Sequence, residues 1–172
     1  MVILLVGPAG SGKTTLGSRI ARHEGWLHIS EDDIWNEIGH PAHQARTDAE
    51  QEVVHAKALE KIARAIETGL SVVFDFLVYD IPPFRIDEYE SQLRLNAIRF
   101  VIRVLRPSVN AILERQRVRG RPSDQDVDRR RRDAEHQLAC LAAIDPALVI
   151  DTSDETPEET FDRHFSGLVA LD

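Results

Sequence analysis

Short apolar runs recur along the chain, and longer stretches with helical periodicity lie between them. The runs cover residues 2–6, 27–29, 71–75, 98–105 and 147–151. The first run is apolar at every position, which is typical of a parallel strand covered by helices on both faces. Strands that alternate with helical stretches predict βαβ units. We therefore expect an α/β fold with the first strand at the centre of a parallel sheet.

Capping residues mark several helix ends. Ser108 and Gly120 bracket one predicted helix, and Ser123 begins an Arg-rich helix that runs to about residue 141. Gly25 is predicted to end the helix that begins at Lys13, because glycine readily adopts the left-handed conformation found just after a helix. These boundaries leave irregular loops after the second and third strands.

The composition is typical of a folded globular protein. The chain has 172 residues, of which 42% are hydrophobic and 29% charged, and this length predicts one domain over residues 1–172. The net charge of −8 disfavours a general nucleic-acid or membrane binder. No apolar run is long enough to span a membrane, and the first run lacks the basic flank of a secretory signal. We expect a cytoplasmic protein without membrane contact.

A glycine-rich segment follows the first strand. Its residues are Gly7, Pro8, Ala9, Gly10, Ser11, Gly12, Lys13, Thr14 and Thr15. Two glycines five positions apart, followed by Lys and Thr between a strand and a helix, form the pattern of a phosphate-binding loop. Its backbone N–H groups and the next helix terminus bind phosphate oxygens. Lys13 is expected to reach the β- and γ-phosphates of a nucleotide, and Thr14 to bind Mg²⁺.

Carboxylates follow the next two strands. Asp32 and Asp33 come after the second strand, and Asp75 ends the third. Ligands of open parallel sheets bind beyond the carboxyl ends of the strands, so these acids are expected beside the phosphate-binding loop. We expect Asp32 to act as the general base toward an acceptor hydroxyl and to help hold Mg²⁺. Asp75 is expected either to bind Mg²⁺ with Thr14 or to orient the substrate.

The choice between the two neighbouring acids stays open at this point. A change of one residue in register turns a side chain to the opposite face, so Asp33 is the alternative base and is otherwise expected to contact the substrate. The same acids also suit the first turn of a short helix over residues 34–38, where carboxylates stabilise the helix N-terminus. The two roles are compatible.

Arginines are the remaining candidates. Arg115 and Arg119 share a helix face and are expected in a lid covering about residues 115–127, where they contact the nucleotide and stabilise the transferring charge. The alternative is a solvated helix face, which we expect for the consecutive arginines 129–132. Arg46 and Arg85 lie in or beside the acceptor-side loops and are expected to hold an anionic group of the substrate.

Taken together, these motifs resemble the small P-loop kinases, which include shikimate kinase, gluconate kinase, chloramphenicol phosphotransferase and the kinase part of polynucleotide kinase. The resemblance rests on residues 7–15, 30–34, 72–75, 114–121 and 150–159 and covers nearly the whole chain. It implies the three-layer α/β/α fold of P-loop NTPases, with a five-stranded parallel sheet in the order 2-3-1-4-5 and a short Arg-containing lid. It also implies Lys13 on the phosphates, Thr14 on the metal, Asp32 as base, and Arg115 or Arg119 on the adenine and lid side.

The function expected from these residues is an ATP- and Mg²⁺-dependent kinase acting on a hydroxyl of a small molecule, such as a sugar acid, an antibiotic or a nucleoside-like compound. One alternative is a nucleotide-dependent switch that hydrolyses ATP slowly and signals through a partner. Another is a 5′-hydroxyl polynucleotide kinase. That family places an Arg three residues after the base, whereas this chain has Trp35 there, and its net charge is acidic. We expect a monomer or homodimer.

Overall fold

The computed structural model describes residues 1–40, 46–121 and 124–170. They form a parallel sheet with helices on both faces. Its strands are β1 (Val2–Val6), β2 (Trp26–Ser30), β3 (Ser71–Phe76), β4 (Phe100–Leu105) and β5 (Val149–Ile150). The α-helices are α1 (Lys13–Ile20), α2 (Glu31–Glu37), α3 (Asp48–Glu67), α4 (Phe84–Leu95), α5 (Val109–Arg119), α6 (Val127–Cys140), α7 (Pro157–His164) and α8 (Ser166–Val169). A short 3-10 helix, Pro146–Leu148, precedes β5.

The strand order is β2-β3-β1-β4-β5, and all the strand pairs are parallel. The predicted fold class, strand order and central position of β1 are therefore confirmed. Every β1 side chain is buried because alternate residues face the two helical layers. Val2, Leu4 and Val6 pack in the core shared with α3 and α4, while Ile3 and Leu5 pack in the core shared with α1 and α7.

Most helix ends lie where the capping residues predict them. The Ser108 hydroxyl accepts the backbone N–H of Ala111 at 3.2 Å, and Gly120 ends α5 in the left-handed conformation. In contrast, α1 ends at Ile20, before the boundary predicted from Gly25, because the intervening residues form turns that lead into β2. Ser123 lies outside the described residues, and α6 begins after Asp126, whose side chain accepts the N–H of Arg129.

Across the described ranges, no helix combines the length and the hydrophobicity needed to cross a lipid bilayer.

Candidate active site

The candidate active site is a cleft of about 1170 Å³ next to the carboxyl ends of β1, β2 and β3. Its lining residues form two groups. The loop side consists of residues 9–16 with Arg115, Thr152 and Glu155, and the acid side consists of Glu31, Asp32, Trp35, Arg46 and Tyr79. The structure thus brings the predicted phosphate-binding loop and the predicted acids to one edge of the sheet, as expected for an open parallel sheet.

Lys13 is held inside its own loop. Its Nζ donates to the carbonyl oxygens of Gly7 and Pro8 at 2.8 and 3.0 Å, and the side chain is buried. Gly7 and Pro8 contribute these carbonyls, while the loop residues that line the cleft begin at Ala9. A Cβ on Gly7 would lie 2.6 Å from the backbone oxygen of Leu105, so this position requires glycine.

Burial and charge act on Lys13 in opposite directions. Burial lowers the pKa of the Lys13 ammonium, and Asp75, Asp32 and Glu31 offset part of that shift. A buried cation next to carboxylates gains from an additional anionic partner, because burial penalises its charged form. The environment of Lys13 is therefore suited to a phosphate group.

Asp75 is fixed by two side chains of β2. Its carboxylate lies 2.6 Å from His28 Nε2 and accepts the Ser30 hydroxyl at 3.3 Å. The pairing of Ser30 with Asp75 in the parallel register brings these groups together. His28 also packs on Gly17 of α1, where an added Cβ would lie 2.5 Å from His28 Nε2. His28 was missed by sequence reasoning, because nothing in a strand sequence shows which side chain faces a carboxylate on the next strand.

Glu31 is a second site residue that the sequence interpretation did not select. It opens α2, lines the cleft and is buried. Burial raises the pKa of the Glu31 carboxyl to about 7, against smaller lowering effects of Arg46 and of a hydrogen bond from the Leu77 backbone. Its place in an acidic run was the only signal available, and burial distinguishes it from its neighbours.

Asp32 and Asp33 both line the cleft. Asp32 lies 3.8 Å from Arg46 Nη2 and is close enough to stabilise the charged form of Lys13. Asp33 is not among the groups that shift the pKa of Lys13. Of the two acids, Asp32 is the one beside Arg46, and its choice as the base stays a prediction. The acids also lie in the first turn of α2, so the helix-capping interpretation holds as well.

Arg46 covers the aromatic part of the acid side. Its guanidinium carbon lies 4.3 Å from the ring centre of Trp35 and 5.9 Å from that of Tyr79. The ring of His40 packs edge-on against that of Trp35, with 5.0 Å between the two ring centres. A guanidinium stacked on aromatic faces keeps its N–H donors available, because they point outward in the plane of the guanidinium. Arg46 is therefore placed to meet an anionic group.

Arg115 connects two parts of the loop side. Its guanidinium donates to the backbone oxygens of Ser11 and Glu155, both at 3.2 Å, and to that of Thr152. Burial lowers the pKa of Arg115, and the carboxylate of Asp151 opposes part of that shift. Arg115 was predicted to contact the nucleotide from the lid, which stays a prediction; the structure shows it as a link between the phosphate-binding loop and the segment after β5.

Arg119 lines the cleft at the end of α5 and donates through Nε and Nη2 to Asp124, at 3.0 and 2.9 Å. The predicted lid includes residues 122 and 123, which lie outside the described residues, so the lid stays a prediction. Arg129 and Arg130 also line the cleft, which corrects the expectation that residues 129–132 are all ordinary surface arginines. Arg130 is half-buried at the cleft, whereas Arg129, Arg131 and Arg132 are exposed.

Arg85 is positioned differently from the expectation. Its side chain is buried at the start of α4 and donates to Glu88 at 2.6 Å and to Glu52 at 3.2 Å. Arg85 is absent from the residues that line the cleft. The two carboxylates of α3 and α4 satisfy its charge, so the structure gives Arg85 a role in joining two helices and no contact with the candidate site.

The fold and this site together define a P-loop kinase: a parallel sheet in the order β2-β3-β1-β4-β5, a phosphate-binding loop between β1 and α1, and acids after β2 and β3. More specifically, the chain belongs to the AAA domain family AAA_33, which matches residues 2–144. The resemblance to the small P-loop kinases is thereby confirmed.

Individual relatives agree with this class. A cytidylate kinase of Bradyrhizobium sp. (strain ORS 278) is 33% identical over 91 residues, which are 53% of this chain and 37% of that protein. The chain thus matches little more than a third of that relative's length. A sugar kinase from Janibacter sp. HTCC2649 superposes with a TM-score of 0.67 at 20% identity, covering 94% of this chain and 90% of the other. A gluconokinase from Sinorhizobium meliloti 1021 gives a TM-score of 0.64, also at 20% identity, covering 99% and 92%. At such identities the structural likeness shows the fold.

Proposed function

We propose that the protein is an ATP- and Mg²⁺-dependent kinase that transfers the γ-phosphate to a hydroxyl group of a small molecule. The observation that carries the proposal is one cleft of about 1170 Å³ that contains both the phosphate-binding loop and the acid side. Ligand pockets of proteins usually have about 300–1,000 Å³, so the volume suits a nucleotide together with a second, small ligand.

The residues present fit ATP and Mg²⁺. Among the described residues, the buried Lys13 ammonium donates to loop carbonyls alone, and a phosphate oxygen would be a stronger acceptor for it. The described residues contain no cluster of three acidic, His or Cys ligands. This agrees with Mg²⁺, which commonly takes one or two protein oxygens and completes its shell with waters and substrate phosphates. Thr14 and Asp75 would supply those oxygens, with Asp32 on the acceptor side.

In the proposed reaction ATP supplies the phosphoryl group, and Mg²⁺ neutralises charge on its phosphate oxygens. Asp32 accepts the proton of the acceptor hydroxyl as that oxygen forms its bond to phosphorus and ADP leaves. Lys13 stabilises the charge on the transferring group, and Arg119 does so from the predicted lid. His28 and Ser30 keep Asp75 in one orientation.

The acid side supports an acceptor with an anionic group. Arg46 lies over Trp35 and has Asp32 as its nearest described carboxylate, at 3.8 Å, which is too long for a hydrogen bond. A carboxylate or phosphate of the acceptor would take those donors, and the acceptor hydroxyl would then lie toward Asp32. Trp35 Nε1 is buried without a hydrogen-bond partner among the described residues, which offers one further donor.

Two substitutions separate the proposed roles. Lys13→Ala is expected to abolish MgATP binding measured by calorimetry. Asp32→Asn should leave that binding within about threefold, while ADP release stimulated by an acceptor falls on the order of a thousandfold. The acceptor panel is gluconate, chloramphenicol, cytidine, CMP and a 5′-hydroxyl oligonucleotide.

The panel also distinguishes the alternatives. Transfer to CMP would identify a nucleoside monophosphate kinase, as the likeness to cytidylate kinase allows, and would replace the alcohol by a phosphate acceptor. Transfer to the oligonucleotide with a steep salt dependence would identify a polynucleotide kinase. Slow ATP hydrolysis that no acceptor stimulates would favour the switch. Failure of the wild-type protein to bind MgATP contradicts all of these.

A further inference from the structure

Two buried glutamines hold a single residue of the phosphate-binding loop. Gln137 Oε1 accepts the backbone N–H of Ala9 at 2.7 Å, and Gln116 Nε2 donates to the backbone oxygen of Ala9 at 3.0 Å. The two side chains are only 3% and 4% exposed. Because an N–H can only donate and a carbonyl can only accept, these contacts determine the orientation of both amides.

The glutamines come from α5 and α6, whose facing ends belong to the predicted lid over about residues 115–127. Gln116 lies near the end of α5, and Gln137 lies on α6, which packs against α5. The chain between them carries Arg119 and Arg121, both of which line the cleft. Ala9 of the loop is therefore hydrogen-bonded to both α5 and α6.

Gly10 provides independent support for this arrangement. The P-loop pattern requires glycine at Gly7 and Gly12, and it leaves position 10 unspecified. Here Gly10 has φ +90°, and an added Cβ would lie 3.1 Å from Gln116 Cγ and 3.2 Å from Gln116 Nε2. The close approach of Gln116 to the loop thus depends on a glycine that the general pattern does not demand.

Packing alone does not explain an amide at position 116. Gln116 Oε1 is buried and has no hydrogen-bond partner among the described residues. An unpaired buried oxygen costs free energy, so an apolar side chain of similar length would fill this space at least as well if filling were the only requirement. What the amide adds is its bond to the loop.

We infer that Gln116 and Gln137 are positioning residues that hold the phosphate-binding loop in its nucleotide-binding shape and join it to α5 and α6. The inference rests on the proposed nucleotide binding. A loop that is already ordered loses less conformational freedom when it binds a ligand, and its affinity is correspondingly higher. Since both bonds hold the same residue, loss of either one releases most of the constraint.

The test uses Gln116→Met, Gln137→Met and the double variant, with the exposed Gln92→Met of α4 as the matched control. Each single change is expected to weaken MgATP binding in calorimetry about tenfold. The double variant is expected to be only slightly weaker than the singles, because the two bonds act on one residue. The KM for the acceptor should change little. The thermal midpoint without nucleotide should fall by about 3 °C in each single variant, because a buried group of Ala9 loses its partner, and by about twice as much in the double variant, so that stability losses add while affinity losses do not. Gln92→Met should bind like wild type.

Two further measurements keep the test independent of folding defects and of catalysis. The exchange of the Ala9 amide hydrogen, followed by NMR without nucleotide, should be slow in wild type and fast in Gln137→Met. Gly10→Ala, which adds backbone strain at φ +90° as well as crowding Gln116, should weaken MgATP binding at least as much as Gln116→Met does.

The outcomes separate the inference from the proposed function. If the wild-type protein binds MgATP and the glutamine variants bind it equally tightly, the inference is overturned and the proposed function stands. Affinity losses that are additive and parallel to a fall in thermal midpoint also overturn it, since they indicate general destabilisation. A wild-type protein that binds no MgATP overturns the proposed function, and the inference falls with it.

Discussion

The two sides of the cleft are held together in different ways. On the loop side, Lys13 and Arg115 donate to backbone carbonyls of the loop and of the segment after β5 at hydrogen-bond distance. On the acid side, Arg46 meets Asp32 only at 3.8 Å and otherwise rests on aromatic rings. The loop side is thus held by hydrogen bonds within the protein, whereas the acid side has donors and acceptors that no hydrogen bond between Arg46 and Asp32 occupies. Substitutions on the two sides should therefore differ in what they damage.

The largest combined effect on stability and nucleotide binding is expected on the loop side. Arg115→Met leaves backbone oxygens of Ser11, Thr152 and Glu155 without a donor and should lower the free energy of unfolding by about 2 kcal/mol. MgATP binding should weaken with it, because the loop loses a support. Urea denaturation and calorimetry measure the two effects. An unfolding free energy within about 0.5 kcal/mol of wild type would contradict the account of this side.

Glu31 tests the electrostatics of the acid side. Its pKa is raised from 4.5 in a model peptide to about 7, so the folded state binds the proton more tightly than the unfolded state. The stability contributed by the protonated carboxyl is therefore complete below pH 4.5 and is lost as pH rises through about 7. The loss is on the order of 3 kcal/mol at most.

Glu31→Gln removes this titration. The free energy of unfolding of the variant, minus that of wild type, should become more positive between pH 5 and pH 8. Urea denaturation at several pH values measures the difference, and titrations common to both proteins cancel. A difference that does not vary with pH would show that Glu31 ionises normally in the folded protein.

The smallest effect on folding is expected for Arg46. Its partners are aromatic faces and one distant, exposed carboxylate, so Arg46→Met should change the free energy of unfolding by less than about 1 kcal/mol. The KM for an anionic acceptor should rise about tenfold, while the KM for ATP stays near the wild-type value. Steady-state kinetics in which ATP and the acceptor are varied in turn measure the two KM values separately. Equal changes in the two KM values would remove the distinction between the two sides.

Local patterns explain why the fold and the loop side were accessible from sequence. The uninterrupted apolar run of β1 predicts a central parallel strand, and the glycine, lysine and threonine spacing predicts the turn that follows it. Ser108 and Gly120 define α5 through hydrogen bonds made within a few residues of the chain. Such features depend on short-range geometry, which the order of residues already specifies.

Contacts between distant segments were not accessible in the same way. Arg85 lies near an acceptor-side loop in sequence, yet the packing of α4 beside α3 pairs it with Glu52, in addition to Glu88 one turn along its own helix. His28 became a site residue only because the register of β2 and β3 aligns Ser30 with Asp75. Arg129 and Arg130 were assigned to the surface, since a run of arginines shows no preferred face until the helix is docked.

The order of residues along the chain was therefore sufficient for the parallel sheet, the phosphate-binding loop and the family, because periodicity, capping and loop spacing are local properties. Tertiary structure alone decided which acid is buried, which arginine faces the cleft and which glutamines hold Ala9. Those properties depend on desolvation and on hydrogen bonds between segments separated by up to 128 positions in the chain. Such interactions form only when helices and strands pack, and packing also sets the local dielectric environment in which each charge acts.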